Sequence, residues 1–176
     1  EIRTPLNAII GLTHLLQVDT PDPGPRERLD KVAAAAHHLL GIINDILDLS
    51  KVEAGQLTLE SREFDLAELV EQSVALLREK AAAKLLRLRS EVAAGLPVRL
   101  VGDPLRLQQV LLNFVGNAIK FSDRGEIVVR ARPDDGERGD GPTLRLRIEV
   151  ADQGIGLSQE QQARLFQSFA QADDST

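Results

Sequence analysis

The sequence predicts an α+β protein in two parts: an N-terminal antiparallel helical hairpin, then an α/β sandwich. Three observations predict it. Apolar residues keep a helical period through two stretches separated by "DTPDPGP". Later stretches alternate apolar and polar residues, as strands with one wet face do. Longer segments with helix-start signals lie between those strands.

In the first helix, Ile2, Leu6, Ile9, Thr13 and Leu16 recur at steps of four and three, which is one helical face. Pro21, Pro23 and Pro25 with Gly24 stop it. A second helix is expected from about Arg26. Leu29, Ala36 and Ile43 lie seven apart, as do Val32, Leu39 and Ile46, and Leu40 and Leu47 widen the stripe. That is an a/d seam. Two readings of it stand. The hairpin pairs with a second copy into a four-helix bundle, or it packs on the rest of its own chain. Gly55 suits the position just past a helix end.

The remainder mixes helix and strand. "LTLESREF" reads as a short strand. Asp65 then caps a helix through about Ala83, with Glu68 three residues on as in a capping box. "LLRLRSEV" and the shorter "VRLVGD" read as strands, and a helix runs from about Pro104 to Phe121. "GEIVVRAR" and "TLRLRIEVAD" are strands joined by the polar loop "PDDGERGDGP". In the second of them Leu144, Leu146, Ile148 and Val150 alternate with Arg145, Arg147 and Glu149. Another helix begins near Ser158. The expected sheet is rich in antiparallel pairs and covered on one side by helices.

Composition narrows the function. A length of 176 residues with 43% hydrophobic content permits a sizeable core. A net charge of −6 argues against a nucleic-acid binder held by phosphate contacts. It leaves room for a nucleotide, which needs only local donors. Cysteine is absent, which removes disulfides and thiol chemistry. No stretch reads as a membrane span or a signal peptide. The chain starts at Glu1 rather than Met and ends at "DDST". A piece of a longer protein is expected, and any membrane segment would lie outside it.

Two stretches carry chemistry. In "LQQVLLNFVGNAIKF", Asn113, Asn117 and Lys120 fall at steps of four and three on one helical face, and Gln109 extends the row. A phosphate–Mg²⁺ cluster would satisfy them, because an amide oxygen suits Mg²⁺ and an ammonium suits phosphate. A solvated polar stripe explains the same row. In "VADQGIG", Asp152 ends a strand, and Gly154 and Gly156 allow close approach to the backbone. A buried aspartate there accepts a hydrogen bond from an exocyclic amine such as adenine's. A tight turn also explains the glycines. The setting of a dinucleotide fingerprint and a Walker-type loop are both missing.

Taken in order, "EIRTPLNAIIG", "DLSKVEAGQL", "DPLRLQQVLLNFVGNAIKFSDRGEI", "VADQGIGLS" and "RLFQSFAQADDST" resemble the signature blocks of bacterial sensor histidine kinases, most of all the hybrid type. The resemblance covers nearly the whole chain. It implies a dimerisation and histidine-phosphotransfer hairpin over 1–54, half of a dimeric four-helix bundle. A linker and first strand follow over 55–64. A Bergerat-type catalytic ATP-binding domain then runs over 65–176, truncated before its second glycine-rich box.

By that resemblance Asn117 is the Mg²⁺ ligand, with Asn113 and Lys120 beside the phosphates. Asp152 reads adenine, supported by Gly154 and Gly156. Phe166 and Phe169 border the ATP lid, although two phenylalanines anchoring a helix to the core would look the same. The phosphorylated histidine is expected immediately before Glu1. Glu1 is then the adjacent carboxylate that takes a proton from the imidazole, and Thr4 matches the position that orients water in relatives with phosphatase activity. Pro5 would kink the helix beside the phosphorylation site. A plainer reading makes Thr4 an N-cap and Pro5 the first helical residue. His14, His37 and His38 lack the flanking acid of an acceptor and are read as surface or packing residues.

The resemblance therefore implies an ATP- and Mg²⁺-dependent protein histidine kinase, a homodimer through its hairpin, that passes phosphate to a response-regulator receiver domain. It implies a cytoplasmic location, with no nucleic acid bound. Any anchor in the bacterial inner membrane lies in other parts of the longer protein. The fragment itself is expected to be inactive. The rival reading is a non-catalytic dimeric signalling scaffold, against which Asn117, Lys120 and Asp152 argue.

Overall fold

The computed structural model describes residues 2–20, 22–134 and 143–164. The chain divides into two compact units, Glu1–Thr58 and Leu59–Thr176.

The first unit holds α1 (Arg3–Asp19) and α2 (Pro23–Glu53). Among the described residues of this unit, Leu6, Thr13 and Ala36 are buried. Gln17 Nε2 donates to Asp30 Oδ1 at 2.7 Å between the two helices. Helix α2 starts three residues before the expected Arg26. Asp22 is its N-cap and accepts the Gly24 N–H at 3.3 Å. Pro23 and Pro25 fall in the first turn, where a missing N–H costs nothing. The prolines that stop α1 thus begin α2. Thr4 lies inside α1, whose N-cap position is Ile2, so Thr4 is not a cap and Pro5 is not the first helical residue. Pro5 sits in the first turn and interrupts no hydrogen bond within α1.

At the end of α2, Gln56 N–H bonds to Lys51 O (2.8 Å) and Gly55 N–H to Val52 O (3.0 Å), with Gly55 at φ +64°. This is a Schellman closure. By length and composition alone α2 passes for a membrane span, contrary to the sequence expectation. A bundle helix passes the same test, and α2 carries His37, His38, Asn44, Asp45 and Asp48. The seam divides in two. Leu29, Ala36 and Ile43 are buried or half-buried. Val32 (48%), Leu39 (48%) and Ile46 (52%) are exposed, as are Ile9, Leu12, Leu15 and Leu16 of α1.

The second unit contains β1 (Arg62–Asp65), α3 (Leu66–Ala83), β2 (Arg87–Val92), β3 (Arg99–Gly102), α4 (Pro104–Phe121), β4 (Glu126–Pro133), β5 (Leu146–Ala151) and α5 (Gln159–Arg164). The strands form two sheets rather than one. β1 pairs antiparallel with β3, Phe64 opposite Leu100. The second sheet has the order β2-β4-β5. Within it β2 and β4 are parallel, Arg89 opposite Val128, and β4 and β5 are antiparallel, Val129 opposite Val150. The parallel pair arises because α4 carries the chain back to the starting edge before β4 begins. The stretch "LTLES" is not a strand. The Glu60 N–H is spent on Asp103 Oδ2 at 3.0 Å instead of on a neighbouring strand.

Leu66, Val70 and Val74 of α3 are fully buried with Leu111, Val115 and Ile119 of α4 and with Ile127 and Val129 of β4. Leu146, Ile148 and Val150 pack against this core. Leu144 precedes β5 and is exposed, so it does not join them. The wet face carries ion pairs: Arg89 with Glu91 and Glu126, Arg130 with Glu91, and Arg132 with Glu149. Exposed pairs of this kind add little stability.

Asp65 caps α3 by accepting the Glu68 N–H at 3.0 Å. The Glu68 carboxylate takes Gln72 Nε2 instead of returning to the cap, so the capping box is half formed. Asp103 caps α4 by accepting the Arg106 N–H at 3.0 Å. That bond and the one from Glu60 hold its carboxyl below the usual range.

Helix α3 ends with the same closure as α2, from Leu86 N–H to Ala81 O and from Leu85 N–H to Ala82 O. Here the left-handed position is Leu85, at φ +58° and 89% exposed. A leucine gains nothing from that exposure and strains against its own carbonyl. Leu85→Gly should therefore raise the unfolding free energy by roughly 1 kcal/mol. Denaturant melts measure this, and an unchanged or lowered midpoint would count against strain at Leu85.

Candidate functional site

Burial of Leu111, Val115, Ala118 and Ile119 fixes which way α4 is rolled. The opposite side carries Gln109, Asn113, Asn117 and Lys120, and all four are exposed. The polar row is therefore a solvated stripe, with no buried amide or ammonium to satisfy. Lys120 Nζ lies 4.9 Å from the centroid of the Phe121 ring. Phe114, on the same helix, is 54% exposed.

A cavity of about 420 Å³ opens beside this stripe. Its walls include Phe114, Asn117 and Phe121 of α4, and Asp152, Ile155 and Gly156 of the loop after β5. Of the residues singled out in the sequence, it brings together Asn117, Asp152 and Gly156. Asn113 and Lys120 stand on α4 outside the lining, and Gly154 is also outside it. The sequence reading missed Phe114, Phe121 and Ile155 as wall residues. The signal available for them was an apolar side chain placed beside a polar row.

Asp152 is exposed, not buried as expected. It follows directly on Ala151, the last residue of β5. Its Oδ1 accepts the Gly154 N–H at 2.8 Å. Ile155 N–H bonds to Phe121 O at 3.3 Å, and Gln153 Oε1 accepts the Glu126 N–H at 3.3 Å. Three bonds thus fix the loop, to itself, to the end of α4 and to the start of β4. A Cβ at Gly154 would collide with the Phe121 carbonyl oxygen and lie 2.9 Å from Asp152 Oδ1. Gly156 has φ +68°. The close approach to the end of α4 accounts for Gly154, and the backbone conformation accounts for Gly156. Gly125, also absent from the sequence reading, has φ +103° and lies directly under Gln153.

Thr4 is exposed in α1. Glu1, Phe166 and Phe169 lie outside the described residues. His37 Nδ1 lies 2.8 Å from Ala33 O on its own helix. No group of three His, Cys, Asp or Glu side chains among the described residues could hold a metal ion.

Residues 1–55 match the His Kinase A (phospho-acceptor) domain, and residues 102–176 match the histidine kinase-, DNA gyrase B-, and HSP90-like ATPase. The chain belongs to the sensor histidine kinases. It is 50% identical over 175 residues to the sensor histidine kinase GacS of Pseudomonas protegens, covering 99% of this chain and 19% of GacS. It is 42% identical over 177 residues to the signal transduction histidine-protein kinase BarA of Escherichia coli K12, with the same coverage of each. The chain thus spans about a fifth of the length of those relatives. Among solved structures it is similar to full-length ShkA in complex with AMPPNP, with a TM-score of 0.78 and 32% identity over 98% of this chain and 35% of ShkA. The matched ATPase region begins at Gly102, next to the cap of α4, and takes in the whole cavity wall.

The crowding at Gly154 makes a direct prediction. Gly154→Ala should destabilise the chain by about 1–3 kcal/mol, because the Phe121 carbonyl is backbone and cannot swing aside. Gly156→Ala has open space around its Cβ and only a backbone conformation to strain, so it should cost less. Equal unfolding midpoints for Gly154→Ala and the unsubstituted chain would refute the close approach.

Proposed function

We propose that this chain is the core of an ATP-dependent protein histidine kinase in a two-component relay. The γ-phosphoryl of ATP passes to a histidine nitrogen and then to a carboxylate of a response-regulator receiver domain. The observation that carries the reading is one cavity that joins Asn117 of α4 to Asp152 and Gly156 after β5. Its volume suits a small-molecule ligand. The ATPase-family match over 102–176 and the AMPPNP bound by ShkA support the same reading.

In this reading Asp152 accepts a hydrogen bond from the adenine amine through the carboxylate oxygen that Gly154 does not occupy. Asn113 and Lys120 extend from the cavity along α4 and meet the phosphates. The Asn117 amide oxygen is a hard, neutral ligand at the cavity wall. Mg²⁺ usually takes only one or two protein ligands and completes its shell with phosphates and water, so a single amide oxygen, with no carboxylate cluster among the described residues, suits it. Bound there, Mg²⁺ would neutralise phosphate charge. Gly154 and Gly156 keep the loop close enough to form the site, and Phe166 and Phe169 are assigned to the lid border. Because the transition state needs little covalent help, positioning and charge do most of the work. Glu1 is assigned to take the imidazole proton and Thr4 to orient water in the reverse, phosphatase direction.

Residues 1–54 are assigned to a homodimer. The exposed Val32, Leu39 and Ile46 on α2, and the exposed leucines of α1, form more apolar surface than a lone hairpin keeps in water. Sedimentation at tens of micromolar should show a dimer, and Val32→Glu with Leu39→Glu should return it to monomer. A monomer before any substitution would exclude the bundle.

The nucleotide assignments separate by metal dependence. Asp152→Asn turns an acceptor into a possible donor and should weaken ATP and ADP alike, by roughly tenfold or more. Asn117→Ala should lose most of the gain in affinity that Mg²⁺ confers and change metal-free binding little. Calorimetric titrations with and without Mg²⁺ read both. Unaltered Mg²⁺ dependence in Asn117→Ala would remove the metal role. No nucleotide binding by the unsubstituted chain would favour the scaffold.

A further inference from the structure

Lys84 is the C-cap residue of α3, yet its ammonium lies at the end of a different helix. Nζ donates to the carbonyl oxygens of Ile119 (2.9 Å), Lys120 (3.0 Å) and Ser122 (3.4 Å). The carbonyls at a helix C-terminus have no partner within the helix and carry the negative end of its dipole. The carbonyl in the middle of this group, that of Phe121, goes instead to the Ile155 N–H. The end of α4 is thus divided between two partners. One cation takes three carbonyls, and the loop after β5 takes the fourth.

We infer that Lys84 is a positioning residue for the nucleotide cavity: it sets the end of α4 so that the Phe121 carbonyl holds the Asp152–Gly156 loop against Asn117. The inference rests on the nucleotide reading above. Lys84 is not among the residues that line the cavity, and its hydrogen bonds at the end of α4 are to backbone carbonyls. Phe121 lines the wall and gives its carbonyl to the loop. A shift at the end of α4 therefore moves both sides of the cavity together. A lysine suits this task because three carbonyls converge on one point, and a compact ammonium has three donors to offer. Charge-assisted bonds of this kind are about twice as strong as neutral ones. With Lys84 removed, partly buried carbonyls lose their donor and the α4 terminus must find another arrangement. The fully buried Ser122 beside them limits the room for replacement water.

The test compares Lys84→Met, which keeps the stem without the charge, with Lys84→Arg, in the full chain. Two quantities are read: Mg²⁺–ATP affinity by calorimetry, and exchange of the Ile155 amide hydrogen by NMR. Lys84→Met should weaken ATP roughly tenfold and speed Ile155 exchange, and Lys84→Arg should restore most of both. Adding Leu85→Gly to Lys84→Met offsets lost global stability and should leave ATP binding weak. If Lys84→Met binds ATP as tightly as the unsubstituted chain, or if Leu85→Gly restores affinity, the positioning role is overturned. If the unsubstituted chain binds no ATP, the nucleotide reading fails by itself and Ile155 exchange decides about Lys84. Faster exchange in Lys84→Met then supports its hold on the loop, and unchanged exchange overturns it.

Discussion

The candidate site depends on the burial of one side of α4. Leu111, Val115, Ala118 and Ile119 are each removed from water against the sheet and α3. A helix with four such contacts cannot roll without exposing them, at about 25 cal/mol per Å² of apolar surface. Everything else on α4 is placed by that constraint. The polar row comes out on the far side, Phe114 and Phe121 stand at its edge, and the last carbonyls arrive within reach of Lys84 and Ile155. The site is the wet remainder of a helix whose dry side is fixed.

Much of this was legible in the sequence because it is local. The bounds of α4 follow from the proline start and the apolar period, and Asp65 declares the start of α3. The alternation of Leu146, Ile148 and Val150 with arginine and glutamate reads directly as one dry and one wet face. Reading failed where a distant partner decides. "LTLES" has a strand's alternation, but the Glu60 amide is claimed by Asp103, which belongs to another helix. Pro23 and Pro25 look like breakers until Asp22 is seen to cap the helix they begin. Whether a polar residue is buried cannot be read from its own stretch either. Asp152 and the Asn113–Lys120 row required the packing of α4 and β5 to show that they face solvent.

The hairpin and the second unit solve the same problem differently. In the second unit helices cover the sheet, and the apolar side chains of α3, α4 and β4 close on one another. In the hairpin two helices meet along a narrow line, and half of the seven-residue seam stays in water. A sequence with so regular a seam, and so little of it covered, is built for a surface outside its own hairpin.

The parallel pairing of β2 with β4 bears on how the molecule comes into being. Its two strands are separated by β3 and all of α4, so the pair forms only after a long loop has closed. Pairings of this kind slow folding relative to hairpins. The cavity needs still more of the chain, because its second wall follows β5. As the chain leaves the ribosome, the α1–α2 hairpin is complete long before any ligand could find a pocket. The nascent protein therefore passes through an interval in which its helical arm has been made while the candidate cavity does not yet exist.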